Sequence, residues 1–418
     1  MADMERAPKV LIADPDRWSA ELLVELVRKA RCDAHLEVLP DSQSVLEHCR
    51  TGWPDLLIVD YGLPGIGGLE LLREVRRQRR HPPVPFFLIT ERVDAASVRA
   101  ALPLAPTAYL AKPFNAEDLL QRLRNLLLEP GEELACPVPS VPNMQSLEEY
   151  LGKARETSSG APLLKVVHEA LDHAMQSHKR DLAELQPLFL QDPQLTGQLI
   201  AAANSAGQHL GNSCQTLDQA VARLGSQHSL NLAQGLALQR SVDLTDPLLL
   251  PHGERIWQQC QRTAELARWL AQCLEGDGER CYTAGLLHLL GDLAVLRSIQ
   301  SWRDLGGEEL TAEQVEEALR THGAPYGSAL RTRWRLPLEL RQLIAAAYQL
   351  GGGVYSKDAL ILHIAKLAAE LPEGEDAAQL AKHKAARMLG LDAALLASLP
   401  KLGMSTQASA SSTKSSRS

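Results

Sequence analysis

"LLIVDYGLPGIGGLELL", residues 56–72, is a run of aliphatic residues that ends in an acid, turns through a glycine-rich loop and opens into an amphipathic segment. An unbroken apolar run without polar alternation suits a parallel strand covered on both faces. An acid at the carboxyl end of such a strand falls where open α/β sheets bind their ligands. The same pattern repeats on either side. "KVLIAD" (9–14), "AHLEVL" (34–39), "PFFLIT" (85–90) and "AYLA" (108–111) read as further strands, and "SAELLVELVRKA" (19–30) and "SQSVLEHCRTG" (42–52) as intervening helices. Residues 8–128 therefore predict five βα units in a doubly wound parallel sheet, with Asp14, Asp16, Asp60, Thr90 and Lys112 at its carboxyl edge.

On these residues the segment resembles the receiver domain of two-component response regulators. The resemblance implies a five-stranded sheet of order 2-1-3-4-5, with Asp60 as phosphoacceptor, Thr90 as switch hydroxyl, Tyr109 as switch aromatic and Lys112, followed by Pro113, as phosphate-binding lysine. A carboxylate attacks the phosphoryl donor, a Mg²⁺ held by nearby acids neutralises the crowded charge, and the lysine and hydroxyl hold the phosphoryl oxygens. One position departs from the family. Two adjacent acids usually follow the first strand, whereas "IADPD" has Asp14, then Pro15, then Asp16. Proline offers no side-chain ligand, so Asp14 and Asp60 are the expected Mg²⁺ ligands, Asp16 is a further candidate, and metal affinity is weakened.

Residues 129–160 are rich in Pro, Gly and Ser around one short helical stretch, "MQSLEEYLGKA", and read as a linker. Residues 161–400 show helical periodicity and no strand pattern, which predicts one all-α domain; the Ser-rich end, 403–418, has too little apolar area to order itself. "FLQDPQLTGQLIAAANSA" (189–206), "DQAVARLGSQHSLNLAQGLAL" and "AGLLHLLGDLAVL" resemble, in that order, the HDOD domain, a helical output module related to HD phosphohydrolases. Asn204 and Ser205 read as capping or bridging residues.

Catalytic HD enzymes hold metal with a histidine, a His-Asp pair and a later aspartate. Carried onto this sequence by resemblance, those positions are Gln259, His288 with Leu289, and Lys366. A lone imidazole cannot supply the several ligands that a metal centre requires, and a lysine repels the ion, so no cofactor is expected there. Asp292, four residues beyond His288, with His322 or His363, is the alternative ligand set. His168, His173 and His178 read as solvent-exposed. The glycine-rich "QLGGGVYSKD" (349–358) lacks the ending of a phosphate-binding loop, and the basic "REVRRQRRH" (73–81) reads as a solvated helix face.

The composition, 45 % apolar, 22 % charged and 4 % aromatic over 418 residues, is that of globular, helix-rich domains. A formal charge of -8 argues against broad binding to nucleic acid. The start lacks a secretory apolar core and no stretch is long enough to span a bilayer, so a cytoplasmic protein without membrane contact is expected. The seven cysteines form no CxxC pair and read as reduced, mostly buried thiols. Together these features predict a non-enzymatic bacterial response regulator. A sensor histidine kinase would phosphorylate the receiver, the face of its fourth and fifth units would change shape, and the HDOD domain would bind a downstream protein. A cyclic-dinucleotide enzyme or an anti-sigma-type regulator is the implied partner, and a homodimer is compatible with both domains. The alternatives are a metal-dependent phosphohydrolase and a nucleotide-sensing domain.

Overall fold

A computed structural model of the chain describes residues 7–90, 95–112, 116–128, 146–158, 160–177, 182–205, 212–237, 243–348, 350, 355–372 and 375–400. Pro113, His178 and the Ser-rich end lie outside the described residues, as do residues 129–145 of the linker.

The N-terminal layer alternates β1 (Lys9–Ala13), α1 (Arg17–Ala30), β2 (His35–Leu39), α2 (Ser42–Thr51), β3 (Leu56–Asp60), α3 (Gly68–Arg77), β4 (Phe86–Thr90), α4 (Ala95–Ala101), β5 (Ala108–Ala111) and α5 (Ala116–Leu127). The five strands are parallel in the order β2-β1-β3-β4-β5. Successive side chains of a strand point to opposite faces, which explains why the central runs are apolar throughout. Ile12, Ile58 and Phe87 face α1 and α5 in one core, while Leu11, Leu57 and Phe86 face α2 and α3 in the other. Every residue of β3 and β4 is buried.

The remaining helices are α6 (Leu147–Thr157), α7 (Lys165–Ser177), α8 (Leu182–Phe189), α9 (Pro193–Ala203), α10 (Leu217–Leu224), α11 (Ser226–Ala237), α12 (Leu250–Cys273), α13 (Gly278–Leu287), α14 (Leu290–Asp304), α15 (Ala312–Arg333), α16 (Leu338–Tyr348), α17 (Lys357–Ala369), α18 (Lys384–Leu389) and α19 (Ala393–Ala397). The chain divides into two compact units, Met1–Gly253 with Leu290–Pro337, and Glu254–Leu289 with Leu338–Ser418. The single all-α domain expected over 161–400 is thus shared between two units, because the chain leaves the first after the start of α12 and returns to it at α14.

In the first unit α9 is buried along its whole length, and α14 crosses α15 where Gly291 meets the backbone of Gly323 and Gly327. Helix α6 belongs to this packing rather than to a free linker. Leu151 is fully buried and its carbonyl accepts a hydrogen bond from Tyr326 Oη at 2.8 Å, while Glu148 meets His322 Nε2 at 2.9 Å. The sheet layer contacts the helices through α1 and α5, which pack on α11, and α5 also packs on α7. Of the expected docking face, built from the fourth and fifth units, α5 takes part in this contact, and α1 joins it. Cys49, Cys214, Cys260, Cys273 and Cys281 form no disulfide and all but Cys273 are buried, whereas Cys32 is disulfide-bonded, contrary to the expectation of reduced thiols throughout.

Candidate functional site

The carboxyl ends of β1, β3 and β5 bring Asp14, Asp60 and Lys112 together. Lys112 Nζ lies 2.8 Å from Asp14 Oδ2 and 2.7 Å from Asp60 Oδ2, so one ammonium is shared by two carboxylates. Asp60 Oδ1 accepts from Gly62 N at 2.7 Å. Thr90, at the end of β4, is 1 % exposed, and Lys112 N donates to its carbonyl at 2.6 Å. Tyr109 is half-buried on β5, in register with Leu88. Burial raises the Asp60 carboxyl above its ordinary value even though Lys112 opposes the shift; Asp14 adds to it. For Lys112, burial favours the neutral amine, but the two carboxylates outweigh it and raise its pKa. Two acids around one base leave the cluster net negative, and that is a setting suited to a cation.

Asp16 points elsewhere. Its Oδ2 accepts from Ser19 N at 3.2 Å and its carbonyl accepts from Ala20 N at 2.9 Å, so it caps α1 instead of joining the acids, because an Asp before a helix satisfies amides that have no partner inside it. Two serines escaped sequence reasoning. Ser19 Oγ donates to Asp14 Oδ2 at 2.6 Å and fixes that carboxylate. Ser42 Oγ donates to Pro64 O at 3.0 Å and accepts from Ile66 N at 2.9 Å, tying down the loop after Asp60. Nothing but a small hydroxyl near a loop advertised either one. Gly68 is required here too, since a Cβ would fall onto the Asp60 carbonyl.

The basic run of α3 has a structural use. Arg76 donates to the carbonyls of Leu104 at 3.0 Å, Val84 at 2.9 Å and Ala105 at 3.2 Å, while Arg73 and Arg77 pair with Glu70 and Glu74 on their own helix.

In the second unit the positions aligned with HD metal ligands hold a different network. Gln259 Nε2 donates to Glu370 Oε1 at 3.2 Å and Lys366 Nζ pairs with the same oxygen at 3.0 Å. Glu370, four residues after Lys366, was not singled out in the sequence; an i,i+4 pair on a helix is its only signal. His288 is fully buried, donates from Nδ1 to Gly285 O at 2.6 Å, and has Nε2 without a hydrogen-bond partner among the described residues. Burial chiefly, with a contribution from Lys366, lowers its pKa to about 4. Leu289 is half-buried beside it in sequence. Asp292 and His322 belong to the first unit, and His363 Nδ1 bonds Ala346 O at 3.1 Å. Among the described residues no group of three or more His, Cys, Asp or Glu is placed to hold a metal ion.

The stretch around residues 189–206 is structural in its geometry. Asp192 caps α9 by accepting from Leu195 N at 2.8 Å and also accepts from Leu164 N at 2.6 Å. Gln194 Oε1 accepts from Ala161 N at 2.8 Å, and Asn204 bridges to Cys214 through both its Nδ2, to the carbonyl at 2.9 Å, and its Oδ1, from the amide at 2.9 Å. His168 is half-buried against Asp243, at 2.6 Å, rather than solvent-exposed. Of the glycine-rich 349–358, half lies outside the described residues; Ser356 caps α17.

Residues 10–124 match the family model of the response regulator receiver domain, and residues 161–350 match that of the HDOD domain. The response regulator ArlR of Staphylococcus aureus is 37 % identical over 120 residues, 28 % of this chain and 52 % of that protein. The cyclic di-GMP phosphodiesterase response regulator RpfG of Xanthomonas campestris pv. campestris is 31 % identical over 118 residues, 28 % of this chain and 31 % of that protein. The transcriptional regulatory protein BaeR of Escherichia coli is 28 % identical over 132 residues, 31 % of this chain and 53 % of that protein. The chain spans about half or less of the length of these curated relatives. Among solved structures, the chemotaxis response regulator CheY4 of Vibrio cholerae matches 29 % of this chain and all of its own, at 24 % identity and a TM-score of 0.27.

Proposed function

This chain is a response regulator that joins a receiver domain, residues 10–124, to an HDOD domain, residues 161–350, and from that premise we propose that phosphorylation of Asp60 controls a noncatalytic HDOD domain that acts by binding other proteins. The observation that carries the receiver half is the convergence of Asp14, Asp60 and Lys112 on shared contacts of 2.7 and 2.8 Å. An Asp60 oxygen attacks the phosphorus of a phosphohistidine or acyl phosphate, the bond to the donor breaks, and Lys112 and Thr90 hold the phosphoryl oxygens. Receiver domains in general use Mg²⁺. The donor set fits it, since Mg²⁺ keeps several waters and is commonly bound by one or two carboxylates with substrate phosphate. Asp14 and Asp60 would hold the ion, which would neutralise the crowded negative charge; Asp16 is occupied as a helix cap. Tyr109 would follow Thr90 in the response of β4 and β5.

The HDOD half rests on chemistry at the former metal positions. Lys366, Gln259 and Glu370 satisfy one another, and the imidazoles of His288 and His363 lie near Lys366. A partner-binding role needs none of the lost ligands. Receiver domains take their phosphoryl group from sensor kinases, so a sensor histidine kinase stands upstream; a cyclic-dinucleotide enzyme or an anti-sigma-type regulator stands downstream. The proposed domain limits are 8–128 for the receiver, a connection over 129–160 that carries the packed helix α6, and 161–400 for the helices. No helix among the described residues is long and apolar enough to cross a membrane.

Acetyl phosphate or beryllofluoride with Mg²⁺ should modify or bind wild type and leave Asp60→Ala unchanged, read by intact mass and by amide exchange around Gly62 and Lys112. Equal behaviour of the two proteins would reduce the receiver to a docking module. A phosphohydrolase reading draws on the printed activity of RpfG, of which only 31 % is matched. Stoichiometric metal in the purified protein, with cyclic dinucleotide turnover lost in His288→Ala, would establish it instead.

A further inference from the structure

Between the acids and the helical layer of the first unit runs one continuous set of contacts. Lys112 joins Asp60 to Asp14; Asp14 Oδ2 also accepts from Ser19 Oγ at 2.6 Å, and Asp14 Oδ1 accepts from Asp16 N at 2.9 Å. Asp16 in turn caps α1, and α1 packs on α11. A cavity of about 810 Å³ opens beside the same loop, lined by Asp14, Pro15 and Val38 on one side and by Glu156, Arg333 and Trp334 on the other. Close-packed interiors resist small displacements, so empty volume next to a loop lets that loop move without displacing its neighbours. Arg333 clamps the carbonyls of Arg155, Glu156 and Ser158 at the end of α6, giving the far wall a fixed frame.

We infer that the receiver transmits its state to the helical domain through the β1–α1 loop, with Ser19 as the positioning residue that couples Asp14 to α1 and hence to α11. The inference rests on phosphorylation of Asp60. A phosphoryl group there competes for Lys112, whose ammonium Asp14 now shares. Asp14 loses that partner but keeps Ser19 Oγ and the Asp16 amide, both at the start of α1, so its adjustment passes to that first turn, which shifts into the cavity. Pro15 gains a use in this arrangement, since its fixed φ stiffens the loop between Asp14 and the capping Asp16. Its ring lines the cavity where a metal-binding acid would otherwise stand.

Amide hydrogen exchange on the full chain tests this, with and without beryllofluoride and Mg²⁺. In wild type, protection of α11 and of residues 155–158 should change several-fold on binding. Ser19→Ala should still bind, as seen at Gly62 and Lys112, yet lose the distant response, and Ser19→Thr should restore it. A merely structural serine would lower stability without separating binding from response. If the changes in wild type are confined to β4, α4 and β5, or if Ser19→Ala responds like wild type, the inference is overturned. If beryllofluoride fails to bind at all, the phosphorylation reading falls, and the unliganded proteins decide the coupling: Ser19→Ala should alter α11 exchange by itself, and silence there overturns the inference separately.

Discussion

At the scale of single residues, two buried titratable groups make opposing demands on pH. Burial raises Asp192 to about 6, against the amide hydrogen bonds from Leu164, Leu195 and Gln194 that favour its ionised form. Its contribution to stability is therefore present below the unfolded value of 3.8 and is lost as pH rises through about 6. His288 runs the other way: lowered to about 4, it contributes fully above 6.5 and loses that contribution as pH falls. Asp192→Asn keeps a capping oxygen and removes the titration, so between pH 4 and 6 its stability should gain about 2 kcal/mol relative to wild type. His288→Phe should lose the acid sensitivity of the second unit over pH 4 to 6.5. Denaturant unfolding across that range checks both, and three superimposable pH profiles would refute the pair. Pro15→Asp restores a second acid beside Asp14, and its Mg²⁺ affinity should rise about tenfold by titration. Asp14, Asp60 and Lys112 were legible from strand-end acids and a lysine, but the turning away of Asp16 was not, because sequence spacing does not reveal which acid a helix will recruit as its cap.

The helices show where local patterns mislead. "AEQVEEALRTHG" and "YGSALRTRWR" read as separate segments across Gly323 and Pro325, yet α15 runs from Ala312 to Arg333 without a break. Proline costs a helix its N–H, and packing on α14 offsets that cost. The crossing is close enough that a Cβ on Gly291 would overlap the backbone of Gly323 and Gly327, with no flexible side chain to yield. Gly291→Ala should destabilise the first unit by about 2 kcal/mol despite the better helix propensity of alanine, measured by the shift in its denaturant midpoint. A neutral or stabilising result would mean that α14 and α15 separate easily. Conversely, "YTAGLLHLLGDLAVLRSI" reads as one helix and is split between α13 and α14 at His288 and Leu289. No proline or positive-φ glycine marks the split; Tyr348 Oη takes the His288 carbonyl as its acceptor, which stands in for a helical N–H.

At the scale of the whole molecule, the two compact units carry separate consequences. Ligand that binds only the native receiver stabilises it by mass action, so beryllofluoride and Mg²⁺ at about a hundredfold excess over Kd should add about 2.7 kcal/mol to the unit that holds Asp60. Calorimetry should show that transition moving while the transition of the Glu254–Leu289 and Leu338–Ser418 unit stays in place. A single shifted transition would show the two to unfold as one. What the sequence by itself determined was the parallel sheet and the acids and lysine at its carboxyl edge, since runs of apolar residues and the chemistry of side chains are local properties. Tertiary structure alone decided that α1 faces the helices, that residues 147–157 join the packed core, that Glu370 answers Lys366 and Gln259, and that one helical pattern divides between two units. Each of these depends on which surfaces meet, and residues far apart in the chain settle that by competing for the same buried volume and the same hydrogen bonds.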